Sequence, residues 1–172
     1  SPRRERASLM KPPHTHRQNP EGFEIDDDAR RIDLAVVHGF LANSYWAGGI
    51  PREIVERAVV SSWCFGVYAP QDAVEALVNG EQVGFARFVT DYATFAYLAD
   101  VFVLESYRGR GLSKWLMDEI FALPVMAGLR RIMLATRTAH GLYEKSGFKP
   151  LAHPDWFMEV NRPEIYQEKP PT

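Results

Sequence analysis

The sequence predicts an α/β domain: a central mixed sheet of six to seven strands, flanked by helices on both faces. Three observations carry that prediction. Between Thr94 and Leu104 both alternate faces are apolar, with Phe95, Tyr97, Ala99, Val101 and Val103 on one and Ala96, Leu98, Phe102 and Leu104 on the other, as an inner strand covered on both sides requires. The chain then turns through Arg108, Gly109, Arg110 and Gly111, after which Leu112, Leu116, Ile120 and Leu123 recur at helical spacing. Before Thr94 the β-rich runs are separated by turn signals, and after Leu104 helix and strand alternate. That order implies an antiparallel start followed by a parallel crossover.

In chain order, residues 1–20 are basic and proline-rich with few large apolar groups, which predicts a mobile arm that buries too little surface to offset its ordering entropy. Residues 21–162 form the single domain, and 163–172 a tail. Phe23–Asp27 is expected as the first strand. Ile32–Leu41 has a helical pattern, and Pro51 suits the first turn of a second helix carrying Ile54, Val55, Ala58 and Val59. Trp63–Ala69 and Gln82–Thr90 are β-rich, with Asn79-Gly80 as a turn signal between them; Pro70–Val78 has no evident place. Past the central helix, Pro124 is expected to break the pattern and Arg130–Thr136 to form a strand. Thr138–Ser146 reads as a short helix closed by Gly147, and Phe148 and Trp156–Val160 as the last strands.

Composition excludes several classes. A chain of 172 residues with 46% hydrophobic and 24% charged residues suits one globular domain. A net charge of −2 argues against a general nucleic-acid binder, and no apolar run approaches the roughly 20 residues of a membrane span. The lone Cys64 cannot form an internal disulfide and reads as a small buried residue, so the cytoplasm is the expected compartment. No His, Asp or Glu group has metal-ligand spacing, and no metal is expected. His14 and His16 read as solvated tail residues.

The turn at Arg108–Ser113 has the chemistry of a phosphate cradle. Glycines let the backbone approach a ligand, a helix start presents unpaired N–H groups to anionic oxygens, and the arginines add fixed charge. It is neither a Walker loop nor a G-x-G-x-x-G turn. Arg108-x-x-Gly111-x-Ser113 resembles the [Q/R]-x-x-G-x-[G/A] pyrophosphate loop of the GNAT superfamily of acyl-CoA-dependent N-acetyltransferases, departing from it at Ser113. Gly141-Leu142-Tyr143-Glu144-Lys145-Ser146-Gly147-Phe148 is similar to a second motif of that family, [LF]-Y-x-x-x-G-F.

The resemblance implies a GNAT-like fold along Phe23–Val160, acetyl-CoA as cosubstrate, and a small-molecule amine or amino-acid-like acceptor. Family habit adds a homodimer. It implies that Arg108, Gly109, Arg110, Gly111, Leu112 and Ser113 hold the pyrophosphate, that the pantetheine arm lies beside Val101, Phe102 and Val103, and that Tyr143 faces the thioester sulfur. It also places Tyr45 and Trp46, in the loop between the first two helices, at the acceptor. Asp100 is the only charge in the most apolar strand, either a base for the amine proton or a paired structural carboxylate. Arg87 is either a partner for an acceptor carboxylate or a solvated strand arginine.

Overall fold

The computed structural model describes residues 11–70 and 80–167. Six strands stand side by side in chain order: β1 (His16–Gln18), β2 (Glu24–Asp26), β3 (Trp63–Tyr68), β4 (Gln82–Thr90), β5 (Phe95–Val103) and β6 (Arg131–Met133). Neighbours from β1 to β5 run antiparallel, and β6 pairs parallel to β5. This is the expected mixed sheet with an antiparallel start.

Helices cover both faces because the inner strands are apolar on both. On one face α1 (Leu34–Ala42) and α2 (Arg52–Val60) set Val37, Leu41, Val55 and Val59 against Phe85 and Phe102. On the other, α3 (Leu112–Phe121), α4 (Pro124–Gly128) and α5 (His140–Glu144) set Leu116, Ile120, Met126 and Tyr143 against Phe65, Phe88 and Leu98. Complete burial of a side chain such as Leu116 contributes roughly 1.5–3 kcal/mol.

Local chemistry sets the ends of these elements. Asp33 caps α1 by accepting from the N–H groups of Ala35 and Val36. Pro51, extended, immediately precedes α2. Gly147 adopts φ +93 and lets the chain turn out of α5, with the Phe148 N–H returning to the Tyr143 carbonyl at 3.2 Å.

Four expectations need correction. The arm does not extend to residue 20, because β1 lies within it. Its charged residues are fixed by ion pairs: His14 with Asp26, His16 with Glu24 and Arg17 with Glu119. The arm's remainder, residues 1–10, lies outside the described residues, as do 71–79 and the tail beyond 167. Pro124 opens α4 at its first helical position instead of only ending α3. The strand expected over Arg130–Thr136 shortens to Arg131–Met133. Neither Phe148 nor Trp156–Val160 forms a strand. The latter run begins as the end of a 3-10 turn and then extends unpaired, leaving Trp156, Met158 and Val160 exposed.

Candidate active site

The shortness of β6 makes the site. β5 and β6 pair only at Phe95–Arg131, Ala96–Ile132 and Tyr97–Met133. Beyond that point β5 continues to Val103 along β4, while residues 134–136 lead away toward α5, so the parallel strands part. The wedge is a cavity of about 540 Å³, with Ala99, Asp100 and Val101 on one wall and Leu134, Ala135 and Thr136 on the other. Tyr45 and Trp46 border it from the loop after α1, and Tyr143 from α5. The Leu104 N–H donates to Val83 O at 2.8 Å on the β4 side. Strand alternation then turns the N–H group of Val103 toward the wedge, while Phe102 buries its ring under α1 and α2.

A bulge lies in the wall of this wedge. Phe85 faces Phe102 and Arg87 faces Ala99, so one residue of β4 spans Asp100 and Val101 of β5. Asp100 takes the extra turn in the left-handed region, at φ +56, which Asp tolerates better than most residues. Arg87 Nε donates to Asp100 Oδ2 at 2.7 Å, and Arg87 Nη1 donates to Ser62 Oγ at 3.1 Å. Trp46 Nε1 donates to Asp100 Oδ1 at 3.0 Å. Both carboxylate oxygens therefore already accept a hydrogen bond, and of the two sequence readings of Asp100 the geometry supports the paired carboxylate. Arg87 is neither solvated nor free to meet an acceptor carboxylate through Nε.

The aromatics of the loop after α1 are held from the other side as well. The Arg137 guanidinium lies 5.0 Å from the centre of the Tyr45 ring, and the rings of Tyr45 and Trp46 meet edge to face at 5.0 Å. Phe40 stacks on Phe102 at 4.0 Å and supports Trp46 from beneath at 6.1 Å. A second cavity of about 840 Å³ shares Tyr45 and Trp46 with the wedge and continues between α1 and the glycine turn, reaching Leu104, Glu105 and Arg108. Ser62 carries no motif that would have singled it out. The bulge comes from unequal residue counts on two strands, and a single strand read by itself does not show it.

At the turn, Gly109 and Gly111 adopt φ +77 and +73, and a Cβ added to either would meet no atom within 4 Å. The concave side of the turn is therefore open. Gly111 begins α3 without a side-chain cap, leaving the first N–H groups of a ten-residue helix, Leu112 and Ser113 among them, directed outward. Leu112 is anchored in the core. Arg108 braces the turn by donating from Nε to Val103 O at 3.1 Å. The exposed Arg110 guanidinium rests over the rings of Tyr107 and Phe23, at 5.5 and 5.9 Å.

Tyr143 is buried, its ring packed edge-on against Phe148, and it borders the wedge. Burial, helped by the nearby Tyr45, pushes its phenol up to about 12. It therefore stays protonated and able to donate throughout the neutral range. Burial likewise pushes the Cys64 thiol up to about 12, which suits an inert packing residue. Folding also brings His14, Asp26 and Asp27 together, with ligand atoms within 4.8 Å, a grouping that no spacing suggested. Their oxygens are engaged. Asp26 accepts from His14, the Asp28 N–H and Arg31, and Asp27 from the Thr15 N–H and Trp63 Nε1.

Comparison with known proteins agrees with this geometry. The acetyltransferase (GNAT) domain profile matches residues 70–150. A Gibberella zeae protein described as a "putative acetyltransferase" is 36% identical over 136 residues, spanning 72% of this chain and 77% of the relative. A crystal structure from Xanthomonas campestris, described in the same terms within the GNAT family, is 45% identical with a TM-score of 0.76, covering 85% of this chain and 97% of the other. A Clostridium acetobutylicum structure, described as a predicted acetyltransferase with acetyl-CoA, shares the fold at 14% identity and a TM-score of 0.54, covering 81% of this chain and 95% of the other.

Proposed function

This chain belongs to the GNAT family of acetyltransferases, and from that premise we propose that it moves an acetyl group from acetyl-CoA to the primary amine of a small-molecule or amino-acid-like acceptor. The parting of β5 from β6 carries the reading. It opens an inner strand edge, beside an uncapped helix start and under a buried tyrosine, where a long thioester could lie along the sheet.

The residues present fit such a molecule. Open-faced Gly109 and Gly111 and the outward N–H groups of the first turn of α3 suit a diphosphate. Arg108 fixes the shape of the turn through Val103 O, and the wedge-facing N–H of Val103 suits an amide of an extended arm. When bound, acetyl-CoA supplies the activated acyl carbon. The neutral acceptor nitrogen would form its bond to that carbon as the bond to sulfur breaks, the sulfur would leave as thiolate, and the proton shed by the nitrogen would pass to solvent. A wedge N–H facing the carbonyl oxygen would meet its growing charge; in other enzymes removing such a donor costs roughly 3–4 kcal/mol.

Tyr143 serves as a hydrogen-bond donor to the departing sulfur. With its phenol at about 12, full proton transfer to a thiolate near 8.5 is uphill by several kcal/mol, whereas donation without transfer is not. Asp100 holds the acceptor loop. With Asp100 engaged by Arg87 and Trp46, the route for the amine proton is to bulk solvent at the open mouth of the cavity. The test is a thiol-release screen with acetyl-CoA against amino acids, alkylamines, polyamines and peptides. At least one amine is expected to accelerate release well above hydrolysis. If none does although acetyl-CoA binds, the chain is a non-catalytic acyl-CoA-binding module.

A further inference from the structure

We infer that Trp46 is a specificity-determining residue that selects acceptors whose amine is carried on a flat aromatic group, and that Asp100 is the positioning residue that sets Trp46 for this task. The inference rests on the acetyl-transfer reading. Trp46 and Tyr45 are large aromatic residues left 43% and 58% exposed, both at the wedge. Tyr97, another lining residue, is 37% exposed. Aromatic faces bordering a cavity offer a ligand a large apolar surface with fixed geometry.

These rings are held rigidly. The indole N–H of Trp46 is fixed on Asp100, which is itself fixed by Arg87, and Tyr45 is held under the Arg137 guanidinium. A surface ordered before binding loses little entropy when a ring stacks on it. Charge narrows the choice further. Within the wedge the Asp100 charge is matched by Arg87, and among the described residues no carboxylate pairs with Arg137. A second ammonium group on the acceptor would therefore meet an unneutralised guanidinium and no available carboxylate. The wedge thus disfavours diamines and polyamines and favours monoamines with an aromatic body.

The test compares kcat/KM for phenethylamine, n-butylamine and putrescine in wild type, Trp46→Ala, Trp46→Phe and Asp100→Ala. Wild type should prefer phenethylamine to n-butylamine about tenfold or more, the value of one good stacking contact, and should use putrescine least. Trp46→Ala and Asp100→Ala should bring the phenethylamine-to-butylamine ratio close to one, and Trp46→Phe should fall between. A ratio within one preparation cancels any loss of folded protein, so a merely structural role for either residue leaves it unchanged. Equal use of all three amines by wild type, or a ratio untouched in Trp46→Ala, overturns the inference and leaves acetyl transfer standing. Calorimetry of phenethylamine against the protein with CoA bound separates the converse case. Binding that Trp46→Ala abolishes, without turnover of any amine, rejects acetyl transfer and upholds the aromatic site.

Discussion

Trp46 and Asp100 are joined by a 3.0 Å hydrogen bond that ties the loop after α1 to the bulge in β5. The bond links two features that the sequence keeps far apart, an aromatic loop and a lone carboxylate in an apolar strand. It also bears on how Asp100 is held. Oδ1 accepts from Trp46 and Oδ2 from Arg87, a pairing that favours a positioning role for Asp100 over that of a base.

Asp100→Asn should therefore lower activity without the signature of a lost base. Raising the pH restores rate to an enzyme that lacks only a proton acceptor, because the amine deprotonates by itself. Here the pH–rate profile of the variant should parallel that of wild type at a lower level. The variant should also lose about 2 kcal/mol of stability, since the guanidinium of Arg87 is left half-buried without its counter-charge. Selective recovery of kcat at high pH would return Asp100 to the role of base.

Tyr143→Phe should cut kcat on the order of 10²-fold while changing the dissociation constant of acetyl-CoA by less than about twofold. The ring that packs on Phe148 is kept and only the hydroxyl is removed, so the core should be little disturbed. Because the phenol titrates near 12, the wild-type rate should show no inflection attributable to Tyr143 at neutral pH. Equal losses in binding and turnover, measured by calorimetry and steady-state kinetics, would remove the hydroxyl from the reaction.

Gly111→Ala separates backbone strain from steric collision. No atom lies within 4 Å of the added methyl group, so the cost is that of a left-handed alanine at φ +73, about 1–2 kcal/mol. The N–H groups at the start of α3 should shift as that strain relaxes. A small fall in melting temperature is expected, together with at least about tenfold weaker acetyl-CoA binding. Unchanged affinity would show that the turn does not hold the diphosphate.

Much of this architecture is legible in the residues. The two-faced apolar run of β5 and the spacing of Leu112, Leu116 and Ile120 mark the central strand and helix because burial on known faces dictates their pattern. The wedge follows from the family resemblance, in which two parallel strands splay apart, and not from the residue pattern, because it depends on where β6 stops pairing and Leu134 is as apolar as Ile132. Trp156–Val160 alternates like a strand, yet a strand also needs a partner edge, which composition does not reveal. β1 fails for the opposite reason: its residues are polar, and order comes from paired charges, which a tally of apolar surface omits.

That origin makes β1 sensitive to pH. His14 Nε2 lies 2.7 Å from Asp26 Oδ1, and this hydrogen bond raises the imidazole above its ordinary 6.5. A histidine whose folded pKa exceeds its unfolded value contributes stability that is complete below 6.5 and fades as pH rises through the folded pKa. Burial pushes the Asp26 carboxyl up, but hydrogen bonds from His14 and Arg31 outweigh it and leave the pKa below 3.8. Its contribution is present above 3.8 and fades as pH falls through the lower folded value. The β1–β2 hairpin should thus be held most firmly between pH 3.8 and 6.5. Hydrogen exchange at the Asn19 and Asp27 amides, which close the hairpin at either end, should show protection declining above that window after correction for intrinsic rates. In His14→Gln the alkaline decline should vanish while the acid limb persists. An identical decline in both proteins would show that His14 does not hold the strand.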